Sequence, residues 1–406
     1  MINIMINNTP NYWKLEKLGQ LFNERKEKVS DKDYSPLSVA KHGIVPQMAN
    51  VAKSDDGDNR KKVLIGDFVI NSRSDRRGSS GLSIYNGSVS LINIVLEPRH
   101  GYPKFIHHLL KSYAFQEEFY KYGHGIVADL WTTRYSELKS IIVALPKYEE
   151  QKQIANFLDK EIERIDLLIE RKERLLGLLH EKRNNIISNL ILESNQESRK
   201  KYKIKHIVEL RTMKLSYKDT NASYIGLENI KSWTGDIKID AESSPDGLVS
   251  QFYSGDVLFG KLRPNLAKVA VVNFDGVCST EAIVLKPKKV LASYLKYMML
   301  EKGFIEDIVS STYGARMPRA SWGYIGSKLI DLPSITDQKK VISLINEKLK
   351  NISNISQKTE DSIKLLLQFK SSIITEAITG QLNIKEWQNR GLGDQKLDKI
   401  NKTMTA

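Results

Sequence analysis

The sequence contains two diverged copies of one unit, and this duplication constrains the fold more than any local motif does. Leu145–Ile162 and Leu332–Leu349 both begin with Leu-Pro and continue with a Gln-Lys pair and spaced apolar residues, at an offset of 187 positions. Gly66 and Gly255 begin similar Gly-Asp-apolar runs at an offset of 189 positions. Because a long-period repeat takes priority over local signals, we predict two units of about 190 residues each.

The composition predicts a folded protein outside the membrane. A chain of 406 residues with 41% hydrophobic residues has room for two or three domains with real cores. No apolar run approaches the roughly 18 residues that a membrane helix needs, and the N-terminal segment lacks the features of a signal peptide. A single cysteine, Cys278, allows neither a disulfide framework nor a thiolate metal site. We therefore predict a cytoplasmic location.

The charge balance indicates a polyanionic partner. The formal net charge is +14, and the isoelectric point is near 9.4. Such an excess favours binding to nucleic acid through attraction and counterion release. The alternative is that the charge serves solubility alone. The placement of basic clusters in loops of both copies, rather than in one tail, favours nucleic acid.

Each copy divides into a globular part and a long helix. The globular parts mix short strand-like runs with helical stretches near 103–121 and 291–309, so we predict an α+β protein with two duplicated mixed α/β domains. We expect about the last fifteen residues to be disordered, because they are polar. The predicted segments are a first globular domain at 1–147, a first helix at 148–193, a linker at 194–200, a second globular domain at 201–334, a second helix at 335–380 and a polar tail at 381–406.

The two helices have the pattern of a coiled coil. Each would reach roughly 65 Å, which is more than one small domain can cover. Lys172 and Thr359 interrupt the apolar pattern at the same point of each copy, and a matched polar position can set the register. The alternative is that each helix packs on its own domain. The predicted seam contains Leu158, Ile165, Leu179 and Ile186 in the first helix and Ile345, Ile352, Leu366 and Ile373 in the second.

A search for catalytic motifs finds none. The segment 255–262 is close to a phosphate-binding loop, but Leu262 occupies the position of the metal-binding hydroxyl and the segment is strand-like. The adjacent His107 and His108 would diverge by about 100° on a helix and make poor joint metal ligands. Asp275 and Glu281 lack the lysine of a nuclease motif. We therefore expect no catalytic residue and no bound metal or cofactor in this chain.

Basic side chains in loops that follow strands are the candidate DNA contacts. Residues 71–80 and 261–265 follow equivalent strands, and residues 123–134 and 312–319 form a second pair of loops with glycine and arginine. Arginine can bond bidentately to guanine or clamp a phosphate, and asparagine completes donor and acceptor patterns. For any single arginine the alternative is a solvated surface charge. The candidates are Arg73, Arg76, Arg77, Arg134, Lys261, Arg263, Asn265, Arg316 and Arg319.

These residues resemble the specificity subunits of type I restriction-modification systems. The shared motifs are the Leu-Pro…Gln-Lys openings of both helices, at 145–158 and 332–345, and the helix exit Ala-Ile-Thr-Gly-Gln-Leu-Asn-Ile at 377–384. The Gly-Asp starts of apolar runs in both globular parts also match. The resemblance covers nearly the whole chain in the order domain, helix, domain, helix. The first helix departs from the pattern, because Leu190 and Ile191 end it without a Thr-Gly exit.

The resemblance implies a function and a set of partners. The globular parts would be target recognition domains that each read one half of a split, asymmetric DNA site. The helices would pair antiparallel with pseudo-twofold symmetry, set the spacing and dock two methyltransferase subunits. Those partners would carry S-adenosylmethionine, and motor-nuclease subunits would use ATP and Mg²⁺. This chain would be non-catalytic. The alternatives are a self-contained DNA methyltransferase and a coiled-coil scaffold that does not bind DNA.

Overall fold

The chain folds into two compact units, each built around a globular domain. The computed structural model describes residues 6, 9–48, 57–125, 131–193, 199–239, 245, 247–312 and 317–402. The first unit combines Met1–Glu173 with Thr359–Ala406, and the second unit is Arg174–Lys358. In the described part of the chain, no helix is long and apolar enough to cross a membrane.

The first globular domain is built from short strands. They form a four-stranded antiparallel sheet in the order β2-β10-β7-β8, a three-stranded sheet β3-β6-β9, and the pairs β1-β11 and β4-β5. The pair β1-β11 joins the start of the domain to its end. The strands are β1 (Lys14–Lys17), β2 (Phe22–Glu24), β3 (Lys28–Val29), β4 (Leu37–Ala40), β5 (Gly43–Pro46), β6 (Arg60–Val63), β7 (Phe68–Asn71), β8 (Ser80–Leu82), β9 (Gly87–Ser90), β10 (Asn93–Pro98) and β11 (Ile142–Leu145).

Among its described residues the first domain has four short helices, and a long helix follows them. The expected helical stretch near 103–121 is two helices, because Ser112 has extended backbone angles and its hydroxyl accepts a hydrogen bond from Phe115 N. Both helices bury aromatic and aliphatic residues against the sheet. The helices are α1 (Leu18–Leu21), α2 (Pro103–Lys111), α3 (Tyr113–Lys121), α4 (Tyr135–Leu138) and the long α5 (Tyr148–Glu193).

The second globular domain repeats this plan. Its main sheet has the order β13-β20-β17-β18, a second sheet has the order β14-β16-β19-β15, and β12 pairs with β21. The strands are β12 (Lys200–Lys203), β13 (Val208–Arg211), β14 (Lys214–Ser216), β15 (Tyr224–Ile225), β16 (Leu248–Phe252), β17 (Val257–Gly260), β18 (Val269–Val271), β19 (Gly276–Ser279), β20 (Ala282–Pro287) and β21 (Leu329–Leu332), and the helices of this domain are α6 (Ala292–Met299), α7 (Lys302–Ser310) and α8 (Trp322–Ser327). The chain continues into the long α9 (Ile335–Ile378) and then into α10 (Ile384–Asn389) and α11 (Leu392–Lys402), which belong to the first unit.

The repeated Gly-Asp motif forms the same turn in both domains. Gly66 and Gly255 have φ angles of +92° and +88°, which glycine adopts without steric cost. The next residue, Asp67 or Asp256, is buried in both domains. Asp67 forms an ion pair with Arg25 at 2.9 Å, and Asp256 forms one with Arg211 at 2.6 Å. The duplication predicted from the sequence therefore extends to individual side-chain contacts.

The long helices pack antiparallel within the first unit. Lys370 of α9 pairs with Asp166 of α5 at 2.6 Å, while an added Cβ at Gly380, just past the end of α9, would touch Trp13, which bonds to Glu150 at the start of α5. The predicted seam residues of this unit, Leu158, Ile165, Leu366 and Ile373, are all buried. Lys172 and Thr359, which interrupt the pattern, are buried too.

In the second unit the seam shifts by one position. Leu179, Ile345 and Ile352 are buried as predicted. Ile186 is only partly buried, while the adjacent Ile187 is fully buried in the core of the unit. An α-helix advances 3.6 residues per turn, so a strict seven-residue step drifts around the helix and the neighbouring position takes over the seam.

The expectation of a disordered tail is wrong for the described residues up to 402. Residues 384–389 and 392–402 are helices α10 and α11. Trp387 stacks on Phe369 with ring centroids 6.1 Å apart and meets Phe157 edge-on at the same distance. The tail looks polar in sequence because its apolar residues are few, but they fall on one helical face and join the core of the first unit. The expected linker also ends earlier, since β12 begins at Lys200.

Candidate nucleic-acid interface

Each domain exposes a loop directly after one strand of its main sheet, namely β7 in the first domain and β17 in the second. Loop A1, residues 71–80, follows β7 and contains a short 3-10 turn at Ser74–Arg76. Its two ends are closed by the hydrogen bond from Asn71 N to Ser79 O at 2.9 Å. Loop A2, residues 261–268, follows β17 and contains a 3-10 turn at Pro264–Leu266. Polar side chains are thus placed at the same edge of each domain.

A second loop pairs with the first in each domain. Loop B1 comprises residues 123–125 and 131–134, and loop B2 comprises residues 317–320; residues 126–130 and 313–316 lie outside the described part of the chain. In the first domain Ser74 N donates to Trp131 O at 2.8 Å. In the second domain Arg263 N donates to Pro318 O at 2.9 Å. The structure therefore brings together the two loops that the sequence singled out in each copy.

The four candidate arginines of the first domain differ in how far other side chains hold them. Arg73 forms an ion pair with Asp75 at 2.9 Å. Arg77 pairs with Glu117 at 2.7 Å and lies over the Tyr120 ring. The side chain of Arg76 is 69% exposed, and its contact to Asp75 is long, at 3.8 Å.

Arg134, the fourth, is exposed just before α4. Arg76 and Arg134 are the arginines of this domain best placed to meet a ligand.

In the second domain the side chain of Arg319 is paired with an acid, whereas Arg263 has an unusual backbone conformation and an exposed side chain. Arg319 forms a bidentate pair with Glu281 at 3.1–3.3 Å, and this hydrogen bonding raises the pKa of its guanidinium. Arg263 is exposed and has a left-handed backbone with φ of +49°. Such a conformation is unfavourable for a residue with a Cβ and is common at functional sites. Among the described residues, the Arg263 side chain has no ion pair.

The remaining candidates of the second domain occupy the same loops. Asn265 is exposed within the 3-10 turn, and Lys261 is half-buried where Ala320 N donates to its carbonyl oxygen at 2.9 Å. Arg316 lies outside the described residues. The roles of these side chains in DNA binding stay predictions.

One residue that shapes loop A1 was not predicted from the sequence. Lys111, at the end of α2, donates from Nζ to the carbonyl oxygens of Lys41, Gly78 and Ser80 at 2.6–3.1 Å. Burial, together with the nearby Lys370, lowers the pKa of the Lys111 ammonium to about 8. The equivalent residue of the second copy is Leu300, so the duplication does not point to it.

The described residues contain no site typical of a metal ion. No group of three or more His, Cys, Asp or Glu side chains among them is arranged to hold one. The segment that resembles a phosphate-binding loop contains strand β17, as its sequence predicted. His108, which sequence analysis set aside as a ligand, bonds instead to Asp159 at 2.8 Å.

Three comparisons relate the chain to known proteins. Residues 10–176 match the family described as Type I restriction modification DNA specificity domain. Over 171 residues the chain is 22% identical to the specificity subunit of the type I restriction enzyme EcoDI from Escherichia coli, a stretch that covers 41% of this chain and 38% of that relative. The match therefore spans well under half of the relative's length.

The fold also matches a solved structure over almost its whole length. That structure is described as the basis of complex assembly and conformational transition of the type I R-M system. The match has a TM-score of 0.61 and 13% identity, and covers 92% of this chain and 100% of the other. At this identity the likeness shows the fold alone.

Proposed function

Because this chain carries a type I restriction modification DNA specificity domain at residues 10–176, we propose that it is the DNA-reading subunit of a type I restriction-modification complex. In this proposal each globular domain reads one half of a bipartite, asymmetric site. The chain itself transfers no methyl group and cuts no DNA.

One observation carries the proposal: the same pair of loops is built twice. Loops A1 and B1 are joined by backbone hydrogen bonds, and loops A2 and B2 are joined at equivalent positions. Each pair presents exposed cations, namely Arg76 and Arg134 in the first domain and Arg263 in the second. Phosphate contacts by such side chains would position the DNA, and base-edge contacts would specify its sequence. Two equivalent interfaces suit a site read in two halves.

The long helices offer docking surfaces for partner subunits. Several apolar side chains on them remain exposed, including Leu167 and Leu367 in the first unit and Leu178 and Leu344 in the second. Contiguous exposed apolar patches mark interaction surfaces, and these side chains are the candidates for such patches on the helices. We propose that two methyltransferase subunits bind there and carry S-adenosylmethionine, and that motor-nuclease subunits supply ATP- and Mg²⁺-dependent chemistry. The helices would also set the spacing of the half-sites, and the complex would act on DNA in the cytoplasm.

An exchange of one domain tests the proposal. Residues 10–145, which run from just before β1 to the end of β11, are replaced by the same region of another specificity subunit. Methylated adenines are then mapped in cells that carry each version with the methyltransferase subunits. We expect one half of the recognised site to change and the other half to stay. A change in both halves, or in neither, would contradict the assignment of one domain to one half-site.

A biochemical control separates this proposal from a self-contained methyltransferase and from a scaffold. The purified chain, given S-adenosylmethionine and DNA, should show no methyl transfer, while the chain with methyltransferase subunits should. A gel shift with duplex DNA then distinguishes a DNA reader from a scaffold, because a scaffold would leave the DNA unshifted.

A further inference from the structure

In the second unit, Arg183 is a largely buried guanidinium that forms no ion pair among the described residues, although the nearby charge of Asp236 partly offsets the effect of burial on its pKa. It lies on α5 with only 8% of its surface exposed. Its Nε is buried and has no hydrogen-bond partner, and among the described residues the side chain forms no ion pair. A buried donor without a hydrogen-bond partner is unfavourable, so the unpartnered Nε of Arg183 could be satisfied by a ligand that the chain itself does not supply.

The equivalent position in the first unit shows which group is missing. The residue equivalent to Arg183 is Lys370, 187 positions later, and its Nζ donates to both carboxylate oxygens of Asp166 at 2.6 and 2.8 Å. The position equivalent to Asp166 is Ser353. The second unit, which contains Arg183 and Ser353, has therefore kept the cation and lost the acid.

The same loss occurs two helical turns away. In the first copy Asp159 bonds to His108 at 2.8 Å and to Lys104 at 2.6 Å. The equivalents of Asp159 and His108 are Asn346 and Tyr297, and Tyr297 donates its hydroxyl to Asn346 Oδ1 at 2.6 Å. This contact satisfies both side chains but carries no charge. Neither acid of the first copy therefore has an acidic counterpart in the second.

A second cation lies beside Arg183. Lys296 of α6 is partly buried, and among the described residues it forms no ion pair. Burial lowers the pKa of its ammonium, and Asp236 partly offsets that effect while Arg183 adds to it. Asp236 is exposed and forms no ion pair with either cation within the described part of the chain. We call the region of Arg183 and Lys296 the niche, and Asp236 is the one acid that acts on both of these cations among the described residues.

The niche adjoins the loop proposed to contact DNA. The Trp233 ring meets His180, one turn before Arg183 on α5, at 5.3 Å between centroids. Trp233 has a left-handed backbone with φ of +64°, and its backbone N–H donates to Ala267 O at 3.0 Å. Ala267 directly follows the turn that holds Asn265 in loop A2.

We propose that Arg183 and Lys296 form an oxyanion site that takes a phosphate group. Guanidinium groups match the geometry of phosphate oxygens and bind them with charge-assisted hydrogen bonds. The phosphate comes either from free phosphate or from the backbone of DNA bound at loop A2. The free-phosphate case is independent of the proposed function, and only the DNA case rests on it.

Thermal unfolding of the full chain tests the site with inorganic phosphate as the probe. Unfolding is followed in sodium phosphate and in sodium chloride of matched ionic strength. With phosphate at tenfold excess over its Kd, we expect a rise in Tm of about 3–6 °C over chloride. Arg183→Gln should abolish this rise, and Lys182→Gln, at the neighbouring exposed lysine, should keep it. Equal Tm values in phosphate and chloride for the unmodified chain would overturn the proposal.

A second variant restores the missing acid and decides the matter even if Arg183→Gln does not fold. Ser353→Asp places a carboxylate where the first copy has Asp166. We expect a higher Tm in chloride and no further rise in phosphate, because the internal acid replaces the ligand. An undiminished phosphate response in Ser353→Asp would show that the anion binds elsewhere.

Titrations with duplex DNA distinguish the two phosphate sources. If the DNA backbone fills the site, Arg183→Gln should reduce the log–log salt slope of binding by about 1, and free phosphate should compete with DNA. If free phosphate fills it, the variant should bind DNA with the original slope. A chain that responds to phosphate but binds no DNA, alone or with methyltransferase subunits, would refute the proposed function and leave the oxyanion site standing.

Discussion

The backbone N–H of Tyr102 donates to Gln151 Oε1 at 2.8 Å, which fastens the start of α2 to the first turn of α5. The same glutamine donates from Nε2 to Pro146 O at 2.9 Å. Gln338 repeats both bonds in the second copy, with Leu291 N and with Pro333 O, each at 2.9 Å. The glutamine of the duplicated Leu-Pro…Gln-Lys motif therefore ties each globular domain to the helix that follows it.

Gln338→Leu should destabilise the protein through these bonds. The glutamine is fully buried, so leucine leaves the Leu291 N–H and the Pro333 carbonyl without partners. Each unsatisfied buried group costs about 1–3 kcal/mol, and we expect the free energy of unfolding to fall by roughly 2–4 kcal/mol. Urea unfolding followed by circular dichroism measures this. Lys339→Gln, at the exposed neighbour, should stay within about 0.5 kcal/mol of the original.

Arg263→Gly should separate stability from DNA binding. Glycine adopts the left-handed backbone of this position without strain, so the free energy of unfolding should rise by about 1 kcal/mol. Loss of the guanidinium should weaken DNA binding by about 1–3 kcal/mol. Denaturant unfolding and fluorescence anisotropy with a labelled duplex test the two effects on one preparation. Unchanged affinity would show that Arg263 does not contact the DNA. The matched control is Lys302→Ala, at an exposed cation of α7 outside the loops.

DNA affinity should fall steeply with salt. Each phosphate neutralised by lysine or arginine contributes about −0.9 to the slope of log K against log salt concentration. With Arg76, Arg134, Lys261 and Arg263 as contacts, we expect a slope of about −3 or steeper. Arg76→Gln should reduce the steepness by about 1. A flat response would mean that the net charge of +14 serves solubility instead.

The single cysteine should be inert in the folded protein. Cys278 lies fully buried on β19, and burial raises the pKa of its thiol to about 12. The reactive thiolate is therefore scarce at pH 8. Labelling with a thiol-specific chromogenic reagent at pH 8 should be at least about 100-fold slower in native protein than in urea-unfolded protein. Comparable labelling rates would show that the sheet β14-β16-β19-β15 of the second domain opens readily.

The sequence predicted the features that recur in both copies. Each copy contains a long helix, a mixed α/β domain and a pair of basic loops. A pattern that recurs at equivalent positions of two diverged copies seldom arises by chance. Seam residues such as Leu158 and Ile345 followed from the seven-residue spacing, because burial in a helix pair depends on that spacing.

The features that occur in one copy alone escaped prediction. The hydrogen bonds from Lys111 to loop A1 join residues far apart in sequence, and no local sequence pattern predicts them. The ion pairs of Arg77 and Arg319 depend on acids brought close only by folding, so the sequence could not rank the arginines by their freedom. Helices α10 and α11 form because Trp387 finds an aromatic partner in Phe369, which tertiary packing provides.

The composition of the first unit from both ends of the chain has a consequence for synthesis on the ribosome. Residues Met1–Glu173 are made before the second unit, whereas Thr359–Ala406, which belong to the same unit as Met1–Glu173, are made after it. The second unit, Arg174–Lys358, is continuous and can complete its core during translation. During synthesis Phe157 therefore stays uncovered until Trp387, its partner from the later segment, has been made, and such exposed apolar surface is prone to aggregate.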